Sequence, residues 1–412
     1  MGIPGPGAAE WAASLVVWAL LSALVGEFLR GLTARWVPLW KSPEVIERVL
    51  VDFYLGGALL YLLAAVPWHA FTSLLVFLVP LVALAGLVGQ AFRAAGRPGA
   101  GRETYRQLAA LLTPVGLIVV LSSLVLFLVE LAVAIPVGTG NTFDSSLLTL
   151  YTSLLLNQHS TAVSFAPYAS TGLLYPQGTT VWLGSAQLWF GLPPARVPLL
   201  VTPLFIGLSP LAGFVLGRRW FSSDRAGLAI ALVLAWVGVG TRGIVYGSND
   251  FVFAFPLVLV LAGQAVIWAR PPVPRIGDVL AFGVLLGYSA ALNPVGAEWL
   301  LLALLLLALL SRPRFSGSRL PWLSRWATTV VVTLVGILPS LYVLAVGHSS
   351  PGFVPGATSG PAGTPSGISA SQFYGNIDPF LFGNSDTGLS SLAALRLELV
   401  LLIVLGLAIL LL

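Results

Sequence analysis

The sequence predicts an all-α integral membrane protein of about 11 transmembrane helices, with a large external loop carrying interfacial helices. Three observations predict it. Of 412 residues, 57% are apolar and only 8% charged, and the mean hydropathy is +0.95, so polar side chains are too few to cover a water-soluble fold. Apolar runs such as "LLALLLLALL" at 301–310 recur along the chain. Lys and Arg gather in alternate connections, as the positive-inside rule requires.

Breaks at charged or Pro/Gly-rich segments set spans at 11–30, 50–67, 71–92 and 108–135, then 197–217, 226–241, 250–269, 277–292, 297–311, 327–347 and 392–412. The segments 30–48, 93–106, 218–225, 270–275 and 312–325 hold 17 of the 20 Lys and Arg, which makes them cytoplasmic. Arg196, Arg242 and Arg396 fall at the opposite ends of spans. The N-terminus "MGIPGPGAAEW" has no basic residue; it is expected outside, with the first span retained. The last span reaches Leu412 without the basic cap that closes other inward-going spans, so further protein is expected beyond it.

The chain divides accordingly into N-terminal transmembrane helices (1–135), an external segment with the candidate site (136–196), a second helical block (197–347), an external Gly/Pro/Ser-rich loop (348–391) and a final helix (392–412). The pI of about 9.7 does not signal nucleic acid, because the basic loops are short and scattered and topology accounts for them. With no Cys, disulfides and thiolate metal sites are excluded. Phosphate-binding glycine loops, zinc spacings and nucleophile elbows are absent from the sequence.

Polarity concentrates on the outer side. His69, His159 and His348 fall there, as do Asp144, Asp250, Asp378 and Asp386. The richest stretch is 141–178. Within it, "SSLLTLYTSLLL" (145–156) puts Leu147, Leu148, Leu150, Leu154 and Leu155 on one broad helical face and Ser145, Thr149, Thr152 and Ser153 on the other. That pattern suits a helix lying in the membrane interface with Tyr151 at headgroup depth. Asp144 stands at its start in "TFDSS", where two readings hold: a cap for the first-turn amides, or a general base for an acceptor hydroxyl at the membrane surface.

An external loop with an Asp near its start, an interfacial helix, a His further on and then "YPQG" (Tyr175 to Gly178) leading through "TTVWLGSAQLWFGLPP" to a new span resembles the GT-C superfamily of membrane glycosyltransferases. It is most similar to a prokaryotic branch with an external-loop Asp and a Tyr-Pro-x-Gly motif. The resemblance covers about residues 108 to 220. It implies a polyprenyl-phosphate-linked sugar donor, a glycan, lipid or protein acceptor, and transfer at the extracytoplasmic face of the cell membrane. It implies Asp144 as catalytic base and His159 as its neighbour.

Such transfer needs cations for the departing phosphate and hydrogen bonds for the sugar. Arg242 and Arg196 are the externally placed candidates for the phosphate, since Arg grips its oxygens bidentately. The plainer roles are a pair with Asp250 for Arg242 and a headgroup contact for Arg196. Asp250 with Asp144 supplies hard oxygen ligands for a divalent cation, Mg²⁺ or Mn²⁺. Tyr175 and Gln177 either contact sugar or only shape a tight turn. Glu130 lies inside the outer end of its span, lining a cavity beneath Asp144 or packed in protonated form. The competing functions are a lipid or glycan transporter or flippase, and a non-catalytic membrane subunit.

Overall fold

A computed structural model describes residues 8–40, 44–65, 73–95, 113–135, 143–159, 177–191, 196–240, 249–266 and 275–293, with isolated positions beyond. Among them all regular structure is helical: α1 (Ala8–Thr33), a 3₁₀ turn (Pro38–Trp40), α2 (Val45–Ala65), α3 (Ser73–Ala95), α4 (Pro114–Ala134), α5 (Phe143–Gln158), α6 (Gln177–Phe190), α7 (Val197–Phe221), α8 (Asp224–Gly240), α9 (Asn249–Gln264) and α10 (Ile276–Leu292). Eight expected spans coincide with α1–α4 and α7–α10. The other three and the 348–391 loop fall outside the described residues, apart from isolated positions.

Among the described residues, three helical stretches are long and apolar enough to cross a membrane: Glu10–Thr33, Pro114–Ala132 and Val197–Phe221. Shorter apolar stretches lie at Phe77–Phe92, Val252–Gln264 and Ile276–Leu292. On α3 and α4, Leu81, Phe92, Leu121 and Val125 are exposed, as lipid-facing sides require. These apolar helices mark the protein as membrane-associated.

Local chemistry sets several ends. α4 starts where Thr113 Oγ1 accepts from the Gly116 amide at 3.2 Å, with Pro114 in the first position, where its missing N–H costs nothing. α7 stops at Ser222, whose left-handed φ of 54° ends the helix after Arg218 and Arg219 complement the dipole of the last turn.

The bundle is tightest where α1 meets α2. Gly26 of α1 lies on the Asp52 carbonyl, and Gly56 of α2 lies on the Ser22 carbonyl, so the backbones touch through small residues one turn apart. The next residue, Gly57, faces a third helix: the Trp182 indole of α6 occupies the space a Cβ would need. Trp182 makes edge contacts with Trp18 and Phe53, at centroid distances of 4.8 and 4.4 Å, and lies 4.9 Å from Phe205 of α7. Trp18 Nε1 donates to Ser185 Oγ at 3.0 Å, and the Tyr54 hydroxyl donates to the Phe253 carbonyl at 3.0 Å. α7 packs against α4, α8 and α9.

Two expectations about 136–196 change. Residues 177–190 form a helix whose Val181, Trp182, Leu183 and Ala186 are fully buried, so this part of the segment sits inside the bundle. The buried face of α5 is Leu148, Tyr151, Thr152 and Leu155, and Tyr151, 3% exposed, packs inside the protein. Leu148 and Leu155 keep the expected side, but Tyr151 and Thr152 join them, because polar side chains too can pack between helices in a membrane, so apolarity alone does not identify the packed side.

Gly57→Ala should drive a methyl group into the indole and cost about 1–3 kcal/mol by overpacking. Thermal unfolding of the purified chain in micelles should show a lowered midpoint, whereas Leu62→Ala, on an exposed side, should change it little.

Candidate functional site

The end of the bundle that carries Tyr-Pro-Gln-Gly is built on α6 and α10. Gly178 lies against the last turn of α10; a Cβ there would come 2.8 Å from the Ala291 carbonyl oxygen. That close approach explains a glycine in the motif. Thr179 Oγ1 donates to the Leu292 carbonyl at 3.1 Å in a buried bond, which satisfies an orphan acceptor at the helix end. The start of α6 is thereby seated on the C-terminus of α10. α5, which carries Asp144, packs directly on α6 and also on α7.

Asp144 is the second residue of α5 and Asp250 the second of α9, so both occupy first turns, where the macrodipole favours negative charge. Gln177 begins α6. The side chains of these three, and Tyr175 and Arg242 entirely, lie outside the described residues. α5 packs on α6 and α7, whereas α9 packs on α2, α7 and α10; α7 is the neighbour they share. Nothing here gathers Asp144 and Asp250 into one metal site, and among the described residues no group of three or more acidic or histidine side chains does so elsewhere.

His159 is not brought to Asp144. It is exposed at the opposite end of α5, with a left-handed φ of 51°. Fifteen residues of continuous helix put the two about 22 Å apart along the axis. Arg196 begins α7, and its Nη2 donates to the Ile135 carbonyl at 3.5 Å, tying α7 to the end of α4.

The opposite end holds a charged cluster that sequence reading missed: topology accounted for its arginines as loop charge, and Glu27 and Asp52, inside the expected spans 11–30 and 50–67, were left unread. α2 is its hub. Asp52, buried, accepts from Arg30 Nε at 2.8 Å, and Glu27 pairs with both Arg30 and Arg48. Glu47, also buried, accepts from Arg219 Nε at 2.9 Å and from Gln264 Nε2 at 3.1 Å. Arg218 Nε lies 2.6 Å from Glu44 and 3.0 Å from Asp224. Burial pushes the Glu44 carboxyl above its ordinary range, against the pull of Arg218. The connection between α1 and α2 is locked down as well: Asp278 of α10 accepts from the Leu39 amide at 2.7 Å, and Arg30 donates to the Trp40 carbonyl. The available signal was spacing, since Glu27/Arg30 and Arg48/Asp52 stand three and four residues apart on helical faces.

The chain matches no family model, no curated protein and no solved structure. Its two ends therefore have to be read from their own chemistry. Every ion pair among the described residues lies at the arginine-rich end, where each buried acid already has donors. The α5–α6 end is where polar groups gather without such a network, and it is the candidate site.

Arg219→Ala should leave Glu47 buried without its cation and cost about 3–5 kcal/mol. The double replacement Glu47→Met with Arg219→Leu should recover most of that loss in the same thermal unfolding measurement.

Proposed function

We propose that this chain is an integral membrane glycosyltransferase that moves a sugar from a polyprenyl-phosphate donor to a glycan, lipid or protein acceptor at the extracytoplasmic face of the cell membrane. The observation that carries the reading is the direct packing of α5, with Asp144 in its first turn, on α6, which begins at Gln177, directly after Tyr175 and Pro176 in the chain, at the end away from the ion pairs.

In this reaction Asp144 takes the proton of the acceptor hydroxyl as its oxygen attacks the anomeric carbon. The new C–O bond forms as the bond from that carbon to the phosphate oxygen breaks, and the electron pair leaves with polyprenyl phosphate. Attack opposite the leaving group inverts the anomeric centre. Arg242 stabilises the departing phosphate, and Tyr175 and Gln177 hold the sugar. Arg196 contributes by fixing α7 to α4. His159 has no part in the chemistry of Asp144, and no step is routed through a metal ion. A transporter or flippase is the second reading, and buried Glu130 is the observation that favours it.

Asp144→Asn should lower transfer in membranes supplied with polyprenyl-phosphate sugars by about 10²–10⁴-fold, the range of a lost general base, while the protein accumulates normally. Unchanged transfer would remove Asp144 as the base. Orientation is open to a separate measurement, because the chain has no Cys. A cysteine placed at the exposed position 159 should react with a membrane-impermeant maleimide in intact cells. One at the exposed position 35 should react only after permeabilisation; the reverse pattern would put the candidate site on the cytoplasmic face.

A further inference from the structure

Five charged side chains are buried among the described residues: Arg30, Glu47, Asp52, Glu130 and Asp278. Four have partners, Arg30 with Asp52, Glu47 with Arg219 and Gln264, and Asp278 with the Leu39 amide. Glu130, 4% exposed, has no hydrogen bond or ion pair among the described residues.

Its surroundings follow from helix register. Ser123, Phe127, Glu130 and Ala134 form the buried stripe of α4. That stripe meets α7 at Gly207, where a Cβ would lie 2.8 Å from Phe127 Cβ and 3.2 Å from the Ser123 carbonyl oxygen. The two helices are antiparallel, since Arg196 at the start of α7 reaches Ile135 at the end of α4. One turn further toward that end, Glu130 of α4 comes level with Pro203 of α7. Pro203 sits inside its helix and has no N–H to give the Leu199 carbonyl.

Among the described residues, charged groups on the helices packed against α4 lie elsewhere. Arg218 and Arg219 end α7, and Asp224 and Arg225 begin α8 at the same far end. On α1, Glu27 and Arg30 belong to the ionic cluster, and Glu10 is exposed. At the near end Arg196 is turned onto the Ile135 carbonyl.

We propose that Glu130 is a proton-binding site within the bundle, its carboxyl protonated and donating to the Leu199 carbonyl that Pro203 leaves without a partner. A carboxyl beside a helix-break carbonyl is the chemistry that accepts a proton or a small monovalent cation away from water. Loss of the proton places a bare charge between α4 and α7, so this contact is a pH-sensitive joint at the candidate-site end. The site stands independently of the glycosyltransferase reading.

Infrared spectroscopy of the full chain in nanodiscs tests this. The wild type should show a protonated-carboxyl C=O stretch at neutral pH that disappears in Glu130→Gln. Thermal unfolding should show Glu130→Gln matching the wild type at acidic pH, where the carboxyl is protonated folded or unfolded, but losing the decline in melting temperature that the wild type shows as pH rises from there toward neutrality. An unchanged band, or an identical pH dependence in the two proteins, overturns the proposal. Sodium that raises the wild-type melting temperature at fixed pH, but not that of Glu130→Gln, overturns the proton in favour of a metal cation. If Glu130→Gln fails to fold, Glu130→Asp must shift the band, and a band that stays in place overturns the assignment.

Discussion

The structure depends on how closely two backbones approach. Where α1 crosses α2, Gly26 and Gly56 let each helix rest on a main-chain carbonyl of the other. In lipid, helices gain nothing from hiding apolar surface from water, and close van der Waals packing takes over that role. The crossing also decides the electrostatics. It puts Arg30 of α1 against Asp52 of α2 inside a body with little water, where the pair holds because further partners complete the geometry: Arg48 stands beside Asp52, and the Trp40 carbonyl accepts from Arg30.

From α2 the constraint spreads in two directions. One face reaches α7 and α9 through Glu47, Arg219 and Gln264. The other, one residue beyond Gly56, offers Gly57 to Trp182 and so admits α6. Consecutive glycines thus serve two different neighbours, and α6 in turn seats its start on the end of α10. The ionic end and the candidate site lie at opposite ends of one packing unit, mechanically joined through α2.

The sequence made some of this plain and concealed the rest, for physical reasons. Long apolar runs mark α1, α4 and α7 because length and hydropathy are what a bilayer selects. The face of α5 was legible only in part: Leu148 and Leu155 do pack inward, but Tyr151 and Thr152 lie beside them, which hydropathy does not mark. The seat of α6 was hidden because "TTVWLGSAQLWF" is too short to read as a span and too apolar to read as a loop. Its position depends on Gly57, more than a hundred residues earlier. The distance between Asp144 and His159 was legible once the helix between them was continuous, while the ion pairs needed the tertiary fold to bring Glu47 to Arg219.

The Gly57 recess also bears on how the chain is assembled. α6 has 14 residues, about 21 Å of helix against a hydrocarbon core of about 30 Å, so it cannot settle as a membrane-crossing segment on its own hydropathy. Its slot exists only after α1 and α2 have met. During synthesis the earlier helices are therefore a template, and the segment bearing the candidate site completes its fold as a guest in a host already built.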